Sequence, residues 1–266
     1  MDERKNLFLF YKPDEELEKE INQLRNIAKE NGFQIVNHVN DANIIVSIGG
    51  DGMFLQAVRK SGFREDCLYL GISTKDILSL YCDFNLNDID NMIASIKNDN
   101  IEVRRYPTIQ VSIDNQSPFY CLNECTIRSS IVKTFVMEVF IDHTHFETFR
   151  GDGMIIATPT GSTAYNKSVR GAIVDPTLPC FQVNELASIN NNMYRTLGAP
   201  FILGKDRTLT LEIVQDGNDY PIVAMDNEAM SISNIKKVEI QLSGRVIKTV
   251  KLKNNSFWEK VKRTFL

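Results

Sequence analysis

The run Ile44-Ile45-Val46-Ser47-Ile48 passes without a break into Gly49-Gly50-Asp51-Gly52-Met53-Phe54. A continuous apolar run of this length fits a strand buried on both faces, which calls for a parallel sheet with helices on either side. Glycines after such a strand permit positive φ and close backbone approach. A helix beginning just beyond them presents unpaired N–H groups and a dipole that favours anions. The stretch therefore demands an α/β unit, with a loop at the strand end that suits a phosphate-bearing ligand.

The surrounding hundred residues keep to that demand. "NLFLFYK" reads as a strand, and Pro13-Asp14 opens a helix with Leu17, Ile21, Leu24 and Ile27 along one face and Gly32 just past its end. "FQIV" and "NIIVSI" are strand-like, a short helix is expected from Met53, "LYLGI" is a further strand, and a helix spans Asp88 to Lys97. Strands alternating with helices imply parallel pairing. After Ile101 the texture changes to "VRRYPTIQVSID", "SPFYCLNECTI", "TFVMEVFID", "MIIATP", "TLTLEIV", "PIVAM", "KVEIQL" and "VIKTVKL", separated by Asp, Asn, Gly and Pro. Helical character is expected only near Thr163 to Arg170 and Gln182 to Ala187, and in the tail "SFWEKVKRTFL". The expected class is α/β + β. An N-terminal Rossmann-like α/β domain over 1–100 precedes a β-rich domain over 101–250, and a tail over 251–266 packs back on the first.

Composition narrows the function. With 266 residues, 43% hydrophobic and 24% charged, the chain reads as an ordinary globular protein, and a net charge of -4 argues against a general nucleic-acid binder. No apolar run approaches membrane-spanning length, and "MDERKNLFLFYK" lacks the layout of a signal peptide. Five cysteines without CxxC spacing point to a reduced, cytoplasmic setting.

The glycine loop is neither a P-loop, since GK[ST] is missing, nor a GxGxxG fingerprint. A carboxylate in a phosphate cradle is electrostatically awkward, and Asp51 has two readings. It caps the following helix, or it accepts a proton from an alcohol attacking a bound phosphate. A second stretch, "RGDGMIIATPTGSTAYNKSVRG" from Arg150 to Gly171, runs from a Gly-Asp-Gly turn through a strand into a hydroxyl-rich turn ending at Tyr165. Small residues admit a ligand, hydroxyls bind it, and the tyrosine offers a face for a base. A plain β-domain turn with local Ser and Thr hydrogen bonds has the same composition.

"GGDG" at 49–52, Asn123-Glu124, "TPTGSTAY" at 158–165 and "ASINNNMYRTLGAPFIL" from Ala187 together resemble bacterial NAD kinases, from the first strand to beyond residue 230. GGDG alone is shared with lipid kinases and phosphofructokinases, so a lipid or sugar kinase is the alternative enzyme, and a catalytically weak NAD-binding sensor the alternative outside enzymes. The resemblance implies transfer of ATP's γ-phosphate to the 2′-hydroxyl of NAD's adenosine ribose. It makes Asp51 the general base, with Gly49, Gly50, Gly52 and Phe54 around the nucleotide and Asn123 and Glu124 holding substrate. Arg150 and Asp152 match positions near the nicotinamide half or the phosphates. Thr163, Ala164, Tyr165, Asn166, Lys167 and Ser168 match the adenosine-binding segment, with Ala187 nearby. Also implied are Mg²⁺ held mainly by ATP phosphates, with no dedicated metal ligands, and a homodimer or homotetramer built through the β-rich domain. "GISTKDILSLYCD" (71–83) replaces a segment that is richer in glycine in relatives, with a Leu-Gly-Phe core, and Arg170 stands where they generally have glycine.

His143 and His145 alternate on an expected strand, with no carboxylate or thiol to complete a metal site. Cys121 and Cys125 read as packed thiols, and the acidic run Asp14 to Glu20 as a solvated helix face.

Overall fold

The computed structural model describes residues 5–75, 79–215, 217, 220–232 and 234–266. The chain divides into two units, Met1–Arg105 with Ile247–Leu266, and Tyr106–Val246. In the first, β1 (Asn6–Phe10), α1 (Glu15–Glu30), β2 (Gln34–Ile35), β3 (Ile44–Ile48), α2 (Asp51–Lys60), β4 (Leu68–Ser73), β5 (Cys82–Asn85) and α3 (Ile89–Lys97) follow in order. Strands β2, β1, β3 and β4 lie side by side in parallel, with β5 also parallel to β4. Crossing helices are what parallel pairing requires. Leu9, Val46, Ile48, Leu70 and Ile72 of the strands pack with Ile21 and Leu24 of α1 and Ile89 and Met92 of α3. Phe54, Leu55, Ala57 and Val58 are buried on α2. Val46 and Ile48 are both buried, as are Ile45 and Ser47, so β3 is the doubly covered strand its sequence demands.

The second unit holds most of β6 (Ile101–Ile113), then β7 (Phe119–Cys121), β8 (Glu124–Arg128), β9 (Phe135–Ile141), β10 (Thr144–Gly151), β11 (Gly153–Ala157), a short helical turn α4 (Tyr165–Ser168), β12 (Cys180–Leu186), β13 (Phe201–Gly204), β14 (Thr208–Ile213), β15 (Ile222–Met225), β16 (Glu228–Ser231) and the start of β17 (Lys237–Leu252). One sheet runs β13-β12-β11-β8-β15-β16. A second runs β10-β9-β14-β17, with β6 and β7 alongside. Ile127, Met154, Ile156 and Phe181 of the first share a core with Val111, Phe135, Leu209, Leu211 and Val238 of the second, which makes the unit a sandwich. β17 returns the chain to the first unit, where Thr249 lies opposite Tyr69 of β4, and α5 (Phe257–Phe265) ends it. Ser256 caps α5, accepting the Glu259 N–H at 3.1 Å.

Four local expectations give way. Gln182 to Ala187, expected to be helical, lies almost wholly in β12. Phe181 and Val183 fill the core, while Gln182 and Asn184 are buried by hydrogen bonds to Ala172 and Val169, so both faces are covered and the alternation that marks a strand is missing. "KVEIQL" and "VIKTVKL" are one strand, because pairing with β6 carries β17 through Gly244. His143 is not on a strand beside His145. It sits with Asp142 in the β9–β10 turn at positive φ, 68° and 49°, the pairing that a tight hairpin favours. The helix expected from Met53 begins at Asp51.

Candidate active site

The candidate residues fall into separate groups on the two units. In the first, β3 delivers the chain into Gly49, whose φ is 147°. A Cβ there would sit 2.9 Å from the Met53 Cβ, so only glycine makes this turn unstrained. Gly50 caps α2, with no side-chain cap, and Asp51 lies in the helix's first turn. Its carboxylate turns instead to residues 79–81. Oδ1 accepts the Ser79 hydroxyl at 2.5 Å and the Tyr81 N–H at 2.8 Å, and Oδ2 accepts the Leu80 N–H at 3.1 Å. The capping reading therefore fails. A carboxylate offers about four acceptor sites, so among the described residues these three donors leave one on Oδ2.

Residues 79–81 are themselves gripped from behind. Lys251 donates to the carbonyls of Tyr81 at 2.5 Å and Leu80 at 3.4 Å, and Lys260 donates to that of Leu80 at 3.0 Å. Both ammonium groups are also bonded to Asp83, and all three side chains are fully enclosed. Burial opposes the charge on Asp83, but Lys251 and Lys260 overcome it and hold its carboxyl below the usual range. Burial, with the charge of Lys251 beside it, pushes Lys260 down to about 7. Phe54, on α2, stacks on Tyr81 with ring centres 4.8 Å apart. Of segment 71–83, residues 76–78 lie outside the described residues.

On the second unit, Asn123 and Glu124 lie where β8 begins, opposite the end of β11. Asp226, at a positive-φ turn, accepts the N–H groups of Leu122, Asn123 and Glu124 at 3.0, 2.7 and 3.2 Å. From the other side, Thr158 and Thr160 donate hydroxyls to the Leu122 carbonyl at 2.6 and 3.0 Å. Gly161 closes the approach, since a Cβ would lie 2.0 Å from the Asn123 carbonyl oxygen. The glycine of the hydroxyl-rich turn thus lets it pack on Asn123-Glu124. Glu124 is 8% exposed, and its Oε2 has no hydrogen-bond partner among the described residues. Burial, and then the charge of Asp226, push its carboxyl up to about 8.

The turn continues into residues 163–168. Thr163 bonds back to the Thr160 carbonyl, Tyr165 is 37% exposed, Ala164 is the N-cap of the short helical segment, and Lys167 lies on it. Asn166 is fully buried near Asn184, and Ser168 is exposed. Arg170 stands at φ 66°, a conformation that costs a non-glycine residue about 1–2 kcal/mol and explains how glycine serves there.

Arg150, Asp152 and Ala187 gather at the opposite end of β11. The Asp152 N–H donates to the Leu186 carbonyl, and the Ile189 N–H to that of Arg150. The Arg150 guanidinium lies 4.3 Å from the centre of the Tyr194 ring. The five residues of β11 separate this group from Asn123-Glu124 by about 17 Å. Nearby, Glu185 accepts from Thr196 and Gly198, and Glu147 from the Leu197 N–H. Burial and the neighbouring Glu185 push Glu147 up to about 7, against the Leu197 bond.

Sequence reasoning missed Asp226, residues 79–81, Asp83, Lys251 and Lys260. None carries a motif, and each acts on a residue distant in the chain. His145 bonds Glu138 at 2.7 Å on exposed surface. All five cysteines are free and buried.

Residues 122–252 match the family model described as ATP-NAD kinase C-terminal domain. Over 266 residues the chain is 64% identical to NAD kinase 2 of Bacillus licheniformis, covering all of both chains. It is 63% identical over 265 residues to NAD kinase 2 of Bacillus subtilis strain 168, covering all of this chain and 99% of that one. Among solved structures, yeast NADH kinase complexed with NADH superposes with a TM-score of 0.78 at 18% identity, covering 97% of this chain and 86% of that one. An NAD kinase from Archaeoglobus fulgidus in complex with ATP gives 0.75 at 22% identity, covering 97% and 98%.

Proposed function

The chain belongs to the NAD kinase family, and from that premise we propose that it moves the γ-phosphate of ATP to the 2′-hydroxyl of NAD's adenosine ribose with Asp51 as general base. Relatedness along the whole chain carries the reaction. The observation that carries the assignment of Asp51 is its carboxylate, fixed by three donors with one Oδ2 acceptor site left over. That site takes the hydrogen of the attacking hydroxyl. Phosphoryl transfer through a loose transition state asks for alignment and late proton removal, so a firmly aimed carboxylate serves. Gly49, Gly50, Gly52 and Phe54 shape the loop around the nucleotide.

Glu124 and Asn123 hold ribose hydroxyls. A carboxyl kept partly protonated by burial both donates and accepts, and an Asn amide does the same. Thr163 to Ser168 receive the adenosine, with the exposed Tyr165 as a stacking face. Arg150, Asp152 and Ala187 meet the nicotinamide half. Among the described residues no three His, Cys, Asp or Glu side chains converge as a metal cage. Mg²⁺ fits such a donor set when phosphate oxygens and water fill its octahedron. When bound, it neutralises charge on the phosphates.

The working form is a homodimer or homotetramer built through the second unit. Phe146, Met193, Leu197 and Ile202 are exposed apolar side chains around β13, an edge strand, and uncovered edges of this kind associate. Free cysteines throughout suit the cytoplasm, and no helix among the described residues is long and apolar enough to cross a membrane.

The test is phosphate transfer from ATP to NAD, with diacylglycerol and fructose 6-phosphate as controls. NADP alone is expected. A product from either control would favour the lipid or sugar kinase, and NAD binding without turnover a sensor. Light scattering that finds a fully active monomer would remove the assembly.

A further inference from the structure

The peptide plane joining Leu80 to Tyr81 has an unusual position. Its oxygen, on Leu80, accepts from Lys260 at 3.0 Å and Lys251 at 3.4 Å, while its N–H, on Tyr81, donates to Asp51 Oδ1 at 2.8 Å. A peptide unit is rigid and planar. Fixing the oxygen therefore fixes the direction of the N–H, and a cation at the oxygen polarises the N–H as a donor. The next carbonyl, of Tyr81, is held by Lys251 at 2.5 Å, and the preceding N–H, of Leu80, donates to Asp51 Oδ2. The two backbone N–H groups reach one carboxylate oxygen each, and the Ser79 hydroxyl adds a second donor to Oδ1.

The network is costly to bury. Two ammonium groups share one carboxylate, Asp83, in a space closed to solvent. A single Lys–Asp pair would balance its charge, so charge balance does not call for the second lysine, whose pKa burial beside Lys251 lowers to about 7. Lys260 comes from α5, and its two bonds go to Asp83 and to the Leu80 carbonyl.

We infer that Lys260, with Lys251, is a positioning residue for Asp51, acting through the Leu80–Tyr81 peptide to hold the carboxylate with one Oδ2 acceptor site open to the substrate hydroxyl. This rests on Asp51 being the base. The C-terminal helix is thereby part of the catalytic apparatus without touching substrate.

The experiment is a double-mutant cycle on the full-length protein, with Lys260→Met and Asp51→Asn alone and together. Lys260→Met keeps the Lys251–Asp83 pair and fills the space, so the fold should persist. In the wild-type background kcat should fall about tenfold to a hundredfold, the size of a small misplacement of a catalytic group. KM for NAD and for ATP should stay within about twofold, the pattern of a contact made only in the transition state. The amide proton resonance of Tyr81 should shift upfield as its peptide loses polarisation. In the Asp51→Asn background the same substitution should change kcat by less than about threefold, because residues that act as a unit are not additive.

An equal loss in both backgrounds, or near-normal kcat in folded Lys260→Met, overturns the inference while leaving Asp51 as base. Near-normal turnover in Asp51→Asn alone overturns the reading beneath it. Should Lys260→Met not fold, Lys260→Gln, which keeps a neutral donor, enters the same cycle.

Discussion

Asp51 and Glu124 are both carboxylates beside a glycine-dependent turn, and the chain treats them in opposite ways. Asp51 is met by three donors, two of them the backbone N–H groups of Leu80 and Tyr81, residues whose own carbonyls accept from buried lysines. Glu124 is enclosed with an oxygen that has no partner among the described residues and a second carboxylate, Asp226, behind its backbone. The first environment fixes the direction of a carboxylate. The second penalises the charge and keeps the proton. Three amides do surround Glu124's segment, but they spend themselves on Asp226. Residue type therefore does not assign the roles. In the proposed assignment they differ in where nearby N–H groups point: at the side chain of the proposed base, or at an anchor beneath the proposed ligand-binding carboxyl.

The sharpest way to break this comparison is Asp51→Asn. It preserves shape and can still accept from an amide, but it cannot take a proton. We expect kcat to fall roughly 10²–10⁴-fold, the usual general-base contribution, while NAD binding survives. Near-normal turnover in a coupled assay would show that the aimed charge is structural only.

Much of the loop was legible and its partners were not. β3 and the glycines after it mark a strand end and an anion-favouring turn in eleven consecutive residues, and Gly49 and Gly161 do the backbone work their type suggests. The clamp on Asp51 joins it to Ser79, Leu80 and Tyr81, then to Lys251 and Lys260. Separations of this size leave no periodicity to read, and a buried lysine looks like a surface lysine in sequence. β12 was misread for a related reason: Gln182 and Asn184 are polar yet buried, which erases the alternation that a half-exposed strand shows.

A pH titration sharpens the other side. Glu124's carboxyl is pushed up to about 8 in the folded chain by burial and Asp226, against about 4.3 unfolded. Between those values the folded state binds more protons. Its stability contribution is full below the unfolded value and is lost as pH rises through about 8. Glu124→Gln removes the titration. Thermal melts of the wild type should therefore lose ground to the variant between about pH 4 and 8, by at most about 5 kcal/mol given about 1.4 kcal/mol per pKa unit. Parallel melting curves would mean that the Glu124 charge is accommodated after all.

Truncation of the same residue reads binding instead. If the largely protonated carboxyl bonds ribose hydroxyls, Glu124→Ala should weaken NAD by about 0.5–1.5 kcal/mol per bond lost, the range for neutral hydrogen bonds. Calorimetry on the folded variant with unchanged NAD affinity would remove Glu124 from the site.

The smallest expected effect concerns Ser79, whose hydroxyl is the one side-chain donor among the three on Asp51. The hydroxyl adds to a clamp that the Leu80 and Tyr81 backbone N–H groups already form. Ser79→Ala leaves the Leu80 and Tyr81 amides in place, with their carbonyls still held by Lys251 and Lys260. One hydrogen bond is worth about 0.5–1.5 kcal/mol net, and most of that loss falls on the ground state because the remaining donors keep the orientation. We expect kcat to change by less than about tenfold, with KM for both substrates steady. A loss as large as that of Asp51→Asn would mean that Ser79, and not the peptide backbone, aims the carboxylate. The contrast with Glu124 would then rest on a side chain rather than on the direction of amides.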